Sequence, residues 1–167
     1  MFDLMLIPHK DVNRQQIEEI IEIKSKAWPY SFNSQLEWIN TNLKGADLHV
    51  LLLLRGSIIA YLNLIEIEIK IDGISQKCYG LGNVCASEKG KGWGKEIMTQ
   101  TNSFLKLKNK IGLLFCKKSL VNFYKLNNWE LVEKNKLLLL FDNESIETMI
   151  FNSSTEYNHL EYLGKQF

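Results

Sequence analysis

Hydrophobic positions change their period several times along the chain, and those changes predict the order of its elements. "FDLMLIP" reads as a short first strand. In "NRQQIEEIIEIKSKAW", Ile17, Ile20, Ile21 and, after Lys24, Ala27 recur at helical spacing with one face for a core. Pro29 discourages helix at Trp28. "NSQLEWINTNL" then predicts a shorter helix with Asn33 or Ser34 as cap. Three extended runs follow: "DLHVLLLL", "SIIAYLNLIEIEIKI" and "QKCYGLGNVCA". Arg55-Gly56 and Asp72-Gly73 mark the turns between them, and Asp-Gly is a strong hairpin signal. Ile65, Ile67, Ile69 and Ile71 alternate with Glu66, Glu68 and Lys70, which is strand period with one wet face.

After a glycine-rich stretch, "GKEIMTQTNSFLKLKNK" returns to helical period. "IGLLFC" reads as a short apolar strand, and "SLVNFYKLNN" as a short helix capped by Ser119. "WELVEK" and "LLLLFD" read as closing strands, and the tail after Ser145 has no clear pattern. The predicted order is β, α, α, β, β, β, glycine loop, α, β, α, β, β.

A length of 167 residues with no linker or repeat predicts one domain over 1–167. The net charge of +1 gives no reason to expect nucleic acid or an anionic membrane as partner. "HVLLLLRGSIIAYLNLI" carries Arg55 and Gly56 at its middle, so it reads as two strands and not as a membrane span. "MFDLMLIPHK" has no basic segment ahead of an apolar run, so the expected location is the cytoplasm. Cys78, Cys85 and Cys116 show no metal-type spacing, which predicts buried reduced thiols and no metal.

The candidate chemistry lies in "SEKGKGWGKE", where Gly90, Gly92 and Gly94 alternate between lysines. Glycine serves where φ is positive or a ligand must approach the backbone. Ahead of a helix, such a loop can aim several N–H groups at an anion. A Walker loop needs Ser or Thr after Gly-Lys, but Gly94-Lys95 is followed by Glu96. A dinucleotide fingerprint has a different spacing and opens a parallel crossover, whereas this loop follows antiparallel hairpins.

Spacing and position together resemble the GNAT superfamily of N-acyltransferases, whose acyl-CoA loop runs Gln/Arg-x-x-Gly-x-Gly/Ala. Lys89-Gly90-Lys91-Gly92-Trp93-Gly94 matches it, with Lys89 in place of the usual Gln or Arg. The family's Tyr-x-x-x-Gly-Phe segment is matched by "NFYKLNNW", with Tyr124 at the tyrosine, Asn128 at the glycine and Trp129 at the phenylalanine. Asn replaces Gly tolerably because both adopt the left-handed conformation. Two departures are the short connection from Val84 to the loop and the bulky Trp93.

The resemblance implies an α/β (α+β) fold with a mixed, mostly antiparallel sheet of about seven strands and helices on both faces. It implies acetyl-CoA as co-substrate, held by Lys89, Gly90, Lys91, Gly92, Trp93, Gly94 and Lys95, with Asn83, Val84 and Cys85 on the pantetheine strand. That strand splays from its neighbour, and an amide of Val84 or Cys85 is the implied oxyanion donor. Tyr124 is the implied general acid for the departing thiolate.

Acyl transfer to an amine also needs a base, since an alkylamine has a pKa of about 10. Glu66 and Glu68 on the wet strand face are the candidates. Cys85 as nucleophile is set aside, because no histidine is near it in sequence and His9, His49 and His159 are scattered singly. Direct attack in a ternary complex follows. Tyr30 and Phe32, in the break between the first two helices, are candidates for the acceptor pocket. The leading reading is transfer to a small-molecule amine. Alternatives are a protein N-terminus or lysine as acceptor, or a module that binds acyl-CoA without catalysis. A homodimer stays open.

Overall fold

Two exposed left-handed dipeptides turn the chain between its three long extended runs. Arg55 and Gly56 have φ of 52° and 81°, and Asp72 and Gly73 have 48° and 81°. Positive φ at both central residues defines the type I′ hairpin turn, whose twist matches that of the strands it joins. The structure, a computed structural model of the chain, describes residues 1–141, 144–153 and 156–167. They form two compact units, Met1–Ile65 with Gly82–Thr101, and Glu66–Leu81 with Asn102–Phe167.

The first unit holds β1 (Phe2–Pro8), α1 (Arg14–Ala27), α2 (Phe32–Asn42) and β2 (Leu48–Leu54). It also holds the start of β3 (Ser57–Ile71), the end of β4 (Ile74–Ala86) and the start of α3 (Trp93–Leu107). β1, β2 and β3 pair antiparallel, from Phe2 opposite Leu54 and from Leu48 opposite Leu64. α1 starts with a capping box: Asn13 Oδ1 accepts from Gln16 N–H at 2.9 Å, and Gln16 Oε1 accepts from Asn13 N–H at 3.0 Å.

The inner face of α1 departs from the predicted stripe. Ile20, Ile21 and Ile23 are buried, but so is Lys24, while Ala27 is exposed. The cap of α2 is Ser31, whose Oγ accepts from Ser34 N–H at 3.1 Å, and not Asn33 or Ser34. Helix therefore begins at Phe32, one residue inside the expected break.

In the second unit β4 runs parallel to β5 (Gly112–Lys117) at Tyr79–Gly112 and Gly80–Leu113. β5 pairs antiparallel along its length with β8 (Ile146–Phe151), which also borders β6 (Glu130–Leu131). β9 (Leu160–Tyr162) lies between β3, antiparallel to it, and β7 (Leu137–Leu139), parallel to it. The sheet is thus mixed and mostly antiparallel, as expected, with nine strands among the described residues instead of about seven. The two strands in the tail, β8 and β9, were not visible as a pattern. β8 buries its last four residues consecutively, so it shows no alternation.

α4 (Val121–Leu126) is preceded by a single 3₁₀ turn at Lys118–Leu120, and Ser119 does not cap it. Trp129 is 1% exposed and its Nε1–H donates to Asn102 Oδ1 at 3.0 Å. A Cβ on Gly112 would meet the Trp129 ring at 2.6 Å. The missing side chain on β5 is what admits an indole where the resembling family has a phenyl ring. All three cysteines are free and buried.

Candidate functional site

The glycine loop in the first unit has the backbone that its sequence implies. Gly90 and Gly92 both have φ of 78°, and a Cβ built on either would meet nothing within 4 Å. Left-handed residues alternating with ordinary ones turn successive N–H groups toward one side, which makes an anion-binding concavity. Glu96 N–H donates to Gly92 O at 3.0 Å, so Gly92 opens α3 and the helix N-terminus faces the loop. Trp93 and Gly94 therefore belong to the first helical turn and not to the loop proper. Lys89, Lys91 and Lys95 are exposed, and Lys91 Nζ lies 3.9 Å from a Glu88 carboxylate oxygen. Loop geometry, open space and positive charge fit the pyrophosphate of a CoA thioester.

β4 enters this loop through a bulge. Ser87 N–H donates to Ile59 O at 2.9 Å, one residue further along than the two-residue turn at Asp72-Gly73 would set. The extra residue is Asn83, left-handed at φ 55°, whose Nδ2–H donates to Asn63 Oδ1 at 2.6 Å. Bulges re-aim backbone groups next to active sites. Beyond the bulge, Cys85 is near enough to Tyr61 and Lys24 to interact with both electrostatically. Burial pushes the Cys85 thiol up to about 12, partly opposed by the Lys24 charge, so it is no thiolate nucleophile at neutral pH.

Tyr124, Glu66 and Glu68 belong to the second unit. α4 ends in a Schellman motif, in which Asn128 N–H donates to Lys125 O and Trp129 N–H to Tyr124 O, both at 3.0 Å. Asn128 has φ of 65°, which is the left-handed residue that the motif needs and the reason Asn replaces Gly there. Tyr124 is 6% exposed, packed edge-on against Phe123, while Phe123 is half-buried. The polar ring is thus the one turned inward, the reverse of a simple polarity argument. Burial and then the nearby Cys116 push its pKa well above the ordinary phenol value. No hydrogen-bond acceptor for its hydroxyl is present among the described residues. Glu66 and Glu68 come together on one cavity of about 230 Å³, lined also by Lys77, Tyr79 and Lys110. Tyr30 and Phe32 are 67% and 45% exposed, so core packing does not claim them.

Sequence reasoning missed a buried polar cluster in the first unit. His9 Nδ1 lies 3.0 Å from His49 Nε2, and His49 Nδ1 lies 2.9 Å from Tyr61 Oη. Lys24, 2% exposed, places its Nζ 4.3 Å from the centroid of the Trp38 ring. Burial pulls the Lys24 ammonium down to about 8, with the nearby Cys85 opposing. The sequence carried one signal for it: Lys24 falls at helical spacing from Ile17, Ile20 and Ile21, on the apolar stripe. Among the described residues no three His, Cys, Asp or Glu side chains gather so as to hold a metal ion, and no helix is long and apolar enough to cross a membrane.

No protein-family model matches the chain, and no curated protein matches it in sequence. Solved structures match it in fold. It is similar to an acyl-CoA N-acyltransferase from Pseudomonas aeruginosa, at a TM-score of 0.64 and 16% identity over 90% of this chain and 99% of that one. It is similar to Escherichia coli ElaA, at 0.62 and 17% over 90% and 99%. A third is the Campylobacter jejuni N-acetyltransferase PseH in complex with acetyl coenzyme A, at 0.59 and 18% over 91% and 100%. The chain has the fold of the GNAT-type N-acetyltransferases.

Proposed function

We propose that the protein is an acyl-CoA-dependent N-acyltransferase that moves an acetyl group from acetyl-CoA to the primary amine of a small molecule. The observation that carries this reading is the loop with Gly90 and Gly92, both left-handed, both open to a ligand, at the head of α3. The fold neighbours support it, one of them in complex with acetyl coenzyme A. The thioester supplies the activated acyl carbonyl, and this chain's residues bind and position it. Loop amides and Lys89, Lys91 and Lys95 hold the pyrophosphate, and a β4 amide at Val84 or Cys85 donates to the carbonyl oxygen. Glu66 and Glu68 are the candidate bases, directly or through water, and Tyr124 donates to the departing thiolate. The high Cys85 pKa favours direct attack over an acyl-enzyme.

Near-neutral charge and the absence of an acidic or basic tract favour a small amine over a protein acceptor. Incubating the pure protein with acetyl-CoA and a panel of amines, with free thiol as readout, tests the reading. Thiol release without any amine acetylated, or no release at all, argues against it.

Tyr30 and Phe32 are proposed to shape the acceptor pocket, because they are large, exposed rings at the start of α2. The double change Tyr30→Ala, Phe32→Ala is expected to raise the acceptor KM about ten-fold, by loss of two apolar contacts, with the acetyl-CoA KM unchanged. Equal changes in both constants would place the rings elsewhere.

A further inference from the structure

Lys24 is a buried cation without a counter-ion. It stands on the inner face of α1, 2% exposed, and no carboxylate reaches ion-pair distance of it among the described residues. Its ammonium rests 4.3 Å from the centroid of the Trp38 ring on α2, a residue that is itself half-buried. Core packing does not call for a lysine here. Methionine is similar in shape and needs no charge partner, whereas an unpaired buried ammonium is costly. A second buried donor stands unpaired in the same unit. Asn63 is 0% exposed; its Oδ1 accepts from Asn83 Nδ2–H at 2.6 Å, and its own Nδ2 has no partner among the described residues.

The two donors share one face of the sheet. Asn63 opposes His49 across the β2–β3 ladder and stands two residues from Tyr61, so these three side chains point to the same side. Lys24 reaches that side from α1, near enough to His49 and Cys85 to act on both. Asn83, bonded to Asn63, and Cys85 bound the short stretch of β4 whose amides are proposed to hold the acyl oxygen. We propose that Lys24 and Asn63 bind a carboxylate of the acceptor, so that the amine this protein acylates is an amino acid. This rests on the N-acyltransferase reading and names its substrate class. A carboxylate supplies what both donors lack, a negative charge for the ammonium and an oxygen for the amide N–H. It enters by displacing the Trp38 ring, the half-buried group that now rests on the ammonium.

The place of the charge separates this site from the other anion on the ligand. The pyrophosphate is assigned to the loop at the head of α3, whose lysines are exposed. Lys24 comes instead from α1, the helix that ends just before Tyr30 and Phe32, the rings proposed for the acceptor pocket. Burial pulls its ammonium down to about 8, and that still leaves most of it protonated at neutral pH. An acetyl group carries no charge, so the acceptor is the partner left to pair with it. An amine without a carboxylate leaves both donors as they are in the free protein and gains nothing from them. Stabilisation of the oxyanion by Lys24 would act on every acceptor alike, and this makes the two roles separable.

The test compares amino acids with the matching amines that lack the carboxyl group, using acetyl-CoA as donor. Wild type is expected to favour the amino acid by about a hundred-fold in kcat/KM, the range of hydrogen bonds to a charged group. Lys24→Met keeps the apolar packing and should shrink that preference to within about three-fold, through the acceptor KM, with the acetyl-CoA KM fixed. In the free protein an amino acid should change the fluorescence of Trp38, read as the difference from Trp38→Phe, and the matching amine should not. Equal loss for both kinds of acceptor in Lys24→Met overturns the proposal, as does a wild type that acetylates both kinds equally well. So does a carboxylate carried by the donor, shown by succinyl-CoA outpacing acetyl-CoA only while Lys24 is present. A wild type that acetylates no amine overturns the reading beneath, and the Trp38 response then decides the carboxylate site by itself.

Discussion

Tyr124→Phe should lower kcat by roughly ten- to a hundred-fold, the low end of what loss of a general acid does. Acetyl-CoA affinity and the melting temperature should stay where they are. The magnitude follows from the environment of the ring. Burial raises the phenol pKa well above ordinary, whereas a thiol sits at about 8.5, so full proton transfer to the thiolate is uphill before the products separate. Tyr124 therefore contributes mainly a hydrogen bond to sulfur as charge develops, and less of the Brønsted advantage that a better-matched acid would give. The unchanged stability has its own reason. The hydroxyl meets no acceptor among the described residues, and removing a donor that has no partner leaves no other group orphaned. The edge-on contact with Phe123 at 5.1 Å and the Schellman turn both survive in phenylalanine. Steady-state kinetics with a burst measurement, to show that chemistry limits turnover, would decide it. An unchanged kcat under those conditions would falsify the assignment, and a large drop in melting temperature would make the hydroxyl structural.

What the sequence disclosed depended on whether the signal was local. Asp72-Gly73 named its own turn because few residues accept φ of 48° and 81° in succession. Gly90 and Gly92 announced a loop in which side chains are not wanted, and Asn128 marked the left-handed end of α4. β8 and β9 were harder, since each owes its strand state to a partner distant in sequence, such as Leu160 opposite Ile71. Their propensities are too weak to speak before the pairing exists. The histidines illustrate the same limit. His9 and His49 are 40 residues apart and look solitary until the β1–β2 register joins them. Lys24 is legible in the sequence, because its helical spacing from Ile17, Ile20 and Ile21 places it on the apolar stripe and so among the core.

Gly92→Val is expected to raise the dissociation constant for CoA by at least about a hundred-fold, equivalent to about 2.7 kcal/mol, while the protein stays folded. Valine at a φ of 78° suffers the steric cost of the left-handed region, about 1–2 kcal/mol. That cost falls on an exposed loop, and no atom lies within 4 Å of the new Cβ, so the core is untouched. The space the side chain enters is the space proposed for the pyrophosphate, and the backbone relaxes by turning its N–H groups away. These two effects can be separated. Gly92→Asn tolerates the left-handed conformation, so it keeps the amides aimed and adds only bulk. If close approach of ligand to backbone is the reason for glycine, both variants lose CoA; if conformation alone is the reason, only valine does. Neutralising one lysine is a smaller perturbation. Lys89→Ala or Lys91→Ala removes an exposed, screened charge, and Lys91 already shares its charge with Glu88 at 3.9 Å. Each should weaken binding only about two- to five-fold, and less at high salt. Calorimetric titration with CoA at two salt concentrations reads all four variants. Affinity retained in both Gly92 variants would remove the loop from the cofactor site and, with it, the observation on which the proposed function stands.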